Sequence, residues 1–158
     1  MAAINANHIN PFLMAATSVL RECCMLSDLE VGKPFLKDTL FSKDEWVIII
    51  GLTGELKGQV LIAFSTEAVL DIASKMCMMQ VTQMDELSSS AICELGNMIL
   101  GNAATMLAAN NIGIDITPPT LSHGEVEFKN NYTKNLCVPL SYDGGSKVIN
   151  INLSIKDC

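Results

Sequence analysis

Apolar positions first recur at helical spacing in Phe12, Met14, Ala15, Val19 and Leu20. Asn10-Pro11 ahead of them offers a capping side chain and a proline at the first helical position, which predicts an amphipathic helix over Pro11–Cys24. After a loop with Gly32-Lys33-Pro34, a short strand is expected around Phe35–Phe41. The pattern then changes. Trp46-Val47-Ile48-Ile49-Ile50 is apolar at every position, as in a central strand or one at an interface. Gly54 to Gly58 reads as a turn and Gln59–Phe64 as the returning strand. Ser65-Thr66-Glu67 caps a helix whose inward face is Val69, Ile72, Ala73 and Met76.

The longest pattern opens at Thr82 or Asp85, runs to about Asn110 and is closed by Asn111-Ile112-Gly113. Ile92, Leu95, Ile99, Ala103 and Met106 fall on one side of this helix. Ser90, Glu94, Asn97 and Gly101, spaced by three and four residues, form a stripe on the other. Thr117-Pro118-Pro119-Thr120 is stiff and extended. Strands are expected near Glu125–Lys129 and Leu136–Tyr142, followed by a hairpin turn at Asp143-Gly144-Gly145-Ser146. Beyond it, Ile149, Ile151, Leu153 and Ile155 alternate with Asn150, Asn152, Ser154 and Lys156, the mark of a half-buried antiparallel strand. These elements define an α+β architecture, with helices packed on one face of a mainly antiparallel β-sheet. With no linker or low-complexity tract, residues 1–158 read as a single domain.

Composition sharpens this picture. The chain has 49% hydrophobic residues, nine methionines and a mean hydropathy of +0.34, which fits an efficient core or an apolar surface shared with a second copy. Net charge is −7 and Arg21 is the lone arginine, so no basic stripe exists for nucleic acid. The same shortage argues against unaided capture of phosphate by arginine forks. Six cysteines show no C-x-x-C pair, and His8 and His123 are isolated, so no metal signature is present. Scattered thiols fit a reducing cytoplasm. Residues 1–20 carry no Lys or Arg and so lack the basic start of a signal peptide, and Leu95–Ile114 carries four Asn and three Gly, a poor membrane span.

The stripe on the long helix is where local cost is concentrated. Glycine in a helix interior costs about 1 kcal/mol relative to alanine. Yet Gly96, Asn97, Gly101 and Asn102 stand within seven residues. A plain explanation exists: Glu and Asn solvate a helix face, and the glycines admit close packing. Against it, Gly101 lies on the polar stripe, away from the core side, and the stripe carries little other charge. A glutamate can accept a hydrogen bond or pair with a partner's lysine. An asparagine both donates and accepts, which suits it to hold a water in one orientation.

Glu94-x-x-Asn97 followed by Gly101-Asn102-Ala103 resembles the CheC/CheX/FliY family of chemotaxis phosphatases, most closely its CheX type. Ile50-Gly51-Leu52-Thr53-Gly54, Gly58, Phe64-Ser65-Thr66-Glu67, Asp85-Glu86-Leu87 and Asp115-Ile116-Thr117-Pro118-Pro119-Thr120 extend the similarity over residues 10–156. The resemblance implies a CheC/CheX-like fold and hydrolysis of the aspartyl phosphate of a CheY-like response regulator. Asn97 would orient the attacking water, and Glu94 would pair with a regulator lysine. Ser90 and Gly101 would contact the partner. The chain would hold no cofactor of its own, the regulator bringing its Mg2+, and would act in the cytoplasm as a homodimer formed through its sheet. CheC-type members carry two such motifs; here Pro11–Cys24 has none, which fits the single-site type. The alternative reading is a non-enzymatic adaptor of the same fold that binds a receiver without hydrolysis. A third is a dimerisation domain whose stripe is merely solvated.

Overall fold

The computed structural model describes residues 5–129 and 134–157. The chain runs through α1 (Ala6–Cys23), β1 (Glu30–Val31), β2 (Phe35–Leu36), β3 (Leu40–Phe41), β4 (Glu45–Gly54) and β5 (Leu56–Ser65). There follow α2 (Thr66–Cys77), α3 (Glu86–Ala109), β6 (Ile114–Ile116), β7 (Thr120–His123), β8 (Val126–Glu127), β9 (Leu136–Tyr142) and β10 (Lys147–Asp157). Four long strands in the order β9-β10-β5-β4 form the body of an antiparallel sheet. Each margin is completed by two short strands, β1 and β2 beside β9, and β6 and β7 beside β4. The fold is therefore α+β, as the hydrophobic pattern requires.

All three helices lie on one face. α1 and α2 both pack against α3, and α3 rests on β4, β6 and β7. Ile48, Ile50, Val60, Ile62, Val138, Ile149 and Ile151 meet Phe12, Ile72, Ile92, Leu95 and Ile99 in one core. By length and composition α3 is apolar enough to cross a membrane, but Ile92, Leu95, Ile99, Leu100, Ala103 and Leu107 are buried inside the protein. Gly96 is the packing glycine. A methyl group there would stand 2.9 Å from Ile48 Cγ2.

Several boundaries differ from expectation. α1 starts a turn earlier, with Asn5 as its cap accepting from the Asn7 amide at 2.9 Å, and Pro11 lies inside the helix. The extra turn buries Ile9 in line with Phe12, while the Asn7 carbonyl that Pro11 cannot serve belongs to an exposed residue. The Phe35–Phe41 strand divides into β2 and β3, and the strand near Glu125–Lys129 shortens to β8, which pairs with β3. Phe41 of that small ribbon packs on the sheet's far face against Val47, Leu61 and Ala63. β10 is not half-buried: Asn152 and Ser154 on its polar side are enclosed, 1% and 0% exposed. Asn135 Nδ2 donates to Asn152 Oδ1 at 2.9 Å, Ser154 Oγ donates to Asn135 Oδ1 at 3.1 Å, and Asn152 Nδ2 donates to the Leu61 carbonyl.

β6 and β7 are interrupted by Pro118-Pro119, which cannot donate to a neighbouring strand. Thr117 bridges the interruption. Its amide donates to the Gly51 carbonyl at 3.0 Å, and its hydroxyl accepts from the Gly51 amide at 2.8 Å. β4 is thus paired on both sides along most of its length, and Trp46–Ile50 offers no free backbone edge.

Candidate functional site

The site is built on α3, whose start is tightly specified. Asp85 accepts from the Ser88 amide at 2.8 Å, and Ser88 Oγ accepts from the Asp85 amide at 2.7 Å, forming a reciprocal capping box. These bonds hold the Asp85 carboxyl below the usual aspartate range. Fixing the first turn fixes the rotation of the helix, and the buried Ile92, Leu95, Ile99 and Ala103 lock it against the sheet. The opposite stripe must then face outward.

It does so at each position. Ser90, Glu94 and Asn97 are exposed and Gly101 is half-buried. Among the described residues, neither Glu94 nor Asn97 is engaged in a hydrogen bond or ion pair, so both polar ends are free for a visitor. At i, i+3 their Cβ atoms are about 5–6 Å apart. Nothing lies within 4 Å of where a Gly101 methyl group would be, so this glycine serves no internal packing. Glu86 and Glu94 are the charged residues of α3, and the helix has no cation.

These groups stand on an exposed helix face. Other chemistries lack material. Among the described residues, no group of three or more His, Cys, Asp or Glu side chains could hold a metal ion. Burial raises the thiol pKa values of Cys93 and Cys137, and pushes that of Cys24 up to about 11, so these are poor nucleophiles. Cys158 lies outside the described residues. Arg21 donates to the Leu29 carbonyl, while Lys75 and Lys147 are paired with Asp71 and Asp143.

One exposed residue on the same face does not stand out from polarity alone. Leu87 is seven residues before Glu94, two helical turns along the stripe. A heptad count from Glu94 would have found it.

The fold is thus α+β, three helices on one antiparallel sheet, with Glu94 and Asn97 exposed on the longest helix. The sequence profile described as chemotaxis phosphatase CheX matches residues 46–141. The CheY-P phosphatase CheX of Thermotoga maritima is 30% identical over 154 residues, covering 97% of this chain and 98% of that protein. The crystal structure of the CheX–CheY–BeF3–Mg2+ complex from Borrelia burgdorferi is similar at a TM-score of 0.82 and 35% identity, over 95% of this chain and 98% of that one. A CheC-like superfamily protein from Shewanella sp. PV-4 has a TM-score of 0.80 and 29% identity, over 97% and 99%. The chain belongs to the CheX family of chemotaxis phosphatases.

Proposed function

We propose that this protein accelerates hydrolysis of the aspartyl phosphate on a CheY-like response regulator. One observation carries the reading: in a member of the CheX family, Glu94 and Asn97 stand side by side, unpaired and solvent-facing, on a helix face with no packing duty. The Asn97 carboxamide enters the receiver's active site and accepts from, or donates to, the attacking water, fixing its line of approach. Glu94 pairs with a receiver lysine and sets the pose. Ser90 and Gly101 border the contact, Gly101 leaving the stripe low where the receiver closes on it.

Phosphoryl transfer is catalysed mainly by positioning and by charge neutralisation. The second requirement falls to the receiver. α3 carries no cation, Arg21, Lys75 and Lys147 are engaged elsewhere, and the Borrelia complex was obtained with CheY, BeF3 and Mg2+. Mg2+ accordingly belongs to the partner. Acting on such a regulator places the protein in the cytoplasm, with residues 1–158 working as one unit. A second copy joins through the sheet margin at β1 and β2, where Val31, Phe35 and Leu36 are exposed on strands with one unpaired edge.

The test is a time course of aspartyl-phosphate loss from each CheY-like receiver of the source cell, with this protein at substoichiometric amount. Acceleration is expected with at least one of them. Asn97→Ala should abolish it, with docking retained, whereas Glu94→Ala should chiefly weaken association. Binding without acceleration would select an adaptor instead, and wild-type rates from Asn97→Ala would defeat the water-positioning role.

A further inference from the structure

The stripe that carries Glu94 and Asn97 continues toward the start of α3, and there its character changes from polar to apolar. Leu87 is 64% exposed on this face. An isolated surface leucine would mean little. Leu87, however, shares a depression of about 150 Å3 with Met79 and Val81, among polar neighbours that include Gln80, Gln83 and Asp85. Met79 is 58% exposed, and its neighbour Met78 is 91% exposed.

The two methionines are displayed on a fixed loop. Met78 caps α2 in the left-handed conformation with φ of 55°, which methionine adopts at a cost. Ser74 ties the turn down: its carbonyl accepts from the Met79 amide at 3.2 Å, and its hydroxyl accepts from the Val81 amide at 2.9 Å. Three large apolar groups are therefore held out to solvent on a preorganised support, where a partner would lose little freedom in meeting them.

We propose that Leu87, with Met79 beside it, is the apolar anchor on which the phosphorylated receiver seats itself. The inference rests on the phosphatase reading and names what secures that partner. Its argument is reach. A specific interface covers about 800 Å2 on each partner, a disc of roughly 16 Å radius. At 1.5 Å per residue, Leu87 lies about 10 Å from Glu94 and about 15 Å from Asn97 along the same face. A receiver interface centred anywhere from Glu94 to Asn97 therefore extends to Leu87. Charge cannot supply the affinity, because the whole helix offers only two glutamates. Burying a leucine and a methionine next to the polar pair adds apolar affinity to the pose that Glu94 sets, and leaves Asn97 to act on the water.

The prediction is a separation of kinetic constants. With the receiver that the wild-type protein turns over, Leu87→Gln should raise KM about tenfold while leaving kcat within twofold. Leu87→Met should restore KM, and Met79→Gln should raise it by a smaller factor. Unaltered far-UV circular dichroism is expected, since Gln is a good helix former and the position is exposed. A wild-type KM in Leu87→Gln overturns the anchor, as does a fall in kcat at unchanged KM. Altered sedimentation with unchanged KM would reassign the patch to a contact between copies. Failure of the wild-type protein on every receiver would instead defeat the phosphatase reading itself.

Discussion

Gly96 and Gly101 lie five residues apart in one helix and serve opposite ends. At Gly96 an added methyl group would meet Ile48 at 2.9 and 3.3 Å and Ile50 at 3.4 Å, and Ile48 is fully buried. Its β-branched side chain has little room to yield. At Gly101 the added group would meet nothing. Gly96→Ala should therefore lower stability by about 1 kcal/mol, overpacking exceeding the gain in helix propensity. Gly101→Ala should raise it by roughly 0.5–1 kcal/mol, a shift of about 2–4 °C in opposite senses on thermal unfolding. Equal shifts of one sign would contradict this assignment. Both glycines could be flagged as costly from sequence, and the helical period placed them on different faces. Which one packs could not be read, because the deciding atoms belong to Ile48, some fifty residues away.

At the level of elements, α2 is tied to the β9–β10 hairpin through one carboxylate. Asp71 Oδ2 accepts from Lys75 Nζ at 2.6 Å and from the Tyr142 hydroxyl at 2.8 Å. Burial pulls the Asp71 carboxyl upward, but those two hydrogen bonds prevail and hold it below its ordinary value of 3.8. Tyr142 is raised, first by burial and then by its bond to Asp71. A carboxyl depressed in the folded state binds its proton more weakly than in the unfolded chain. The stabilisation is thus complete above about pH 4 and lost as pH falls through the folded value. Unfolding midpoints measured from pH 6 down to pH 2 should show this loss, and Asp71→Asn should flatten part of it. The elements themselves were unevenly legible. The Leu136–Tyr142 strand was legible, and the start of α3 was narrowed to Thr82 or Asp85, of which the capping box selects Asp85. β6 and β7 were not legible, since three and four residues around a proline pair are too short to establish a period. For β10 the alternation was legible, but what covers Asn152 and Ser154 arrives from distant segments.

For the whole molecule, the sheet keeps its two margins differently. β6 and β7 are anchored along β4 by Thr117 and Gly51, whereas β1 and β2 leave Val31, Phe35 and Leu36 exposed. If a second copy covers that margin, Phe35→Glu with Leu36→Glu should convert a dimer to a monomer in sedimentation equilibrium, with the fold intact. A wild-type protein that is monomeric at all concentrations would remove the proposed pairing. The net charge of −7 and the lone arginine already indicated that phosphate chemistry needed help from outside, and the family resemblance supplied the helper. The docking anchor was harder to see, because exposure of Leu87 depends on how α3 settles on the sheet. The bare stripe has one more consequence, for what happens after the reaction. A helix face with no cation offers the leaving phosphate no charge to hold it beside Asn97. On the proposed reading, free phosphate does not compete with the receiver for this face of α3.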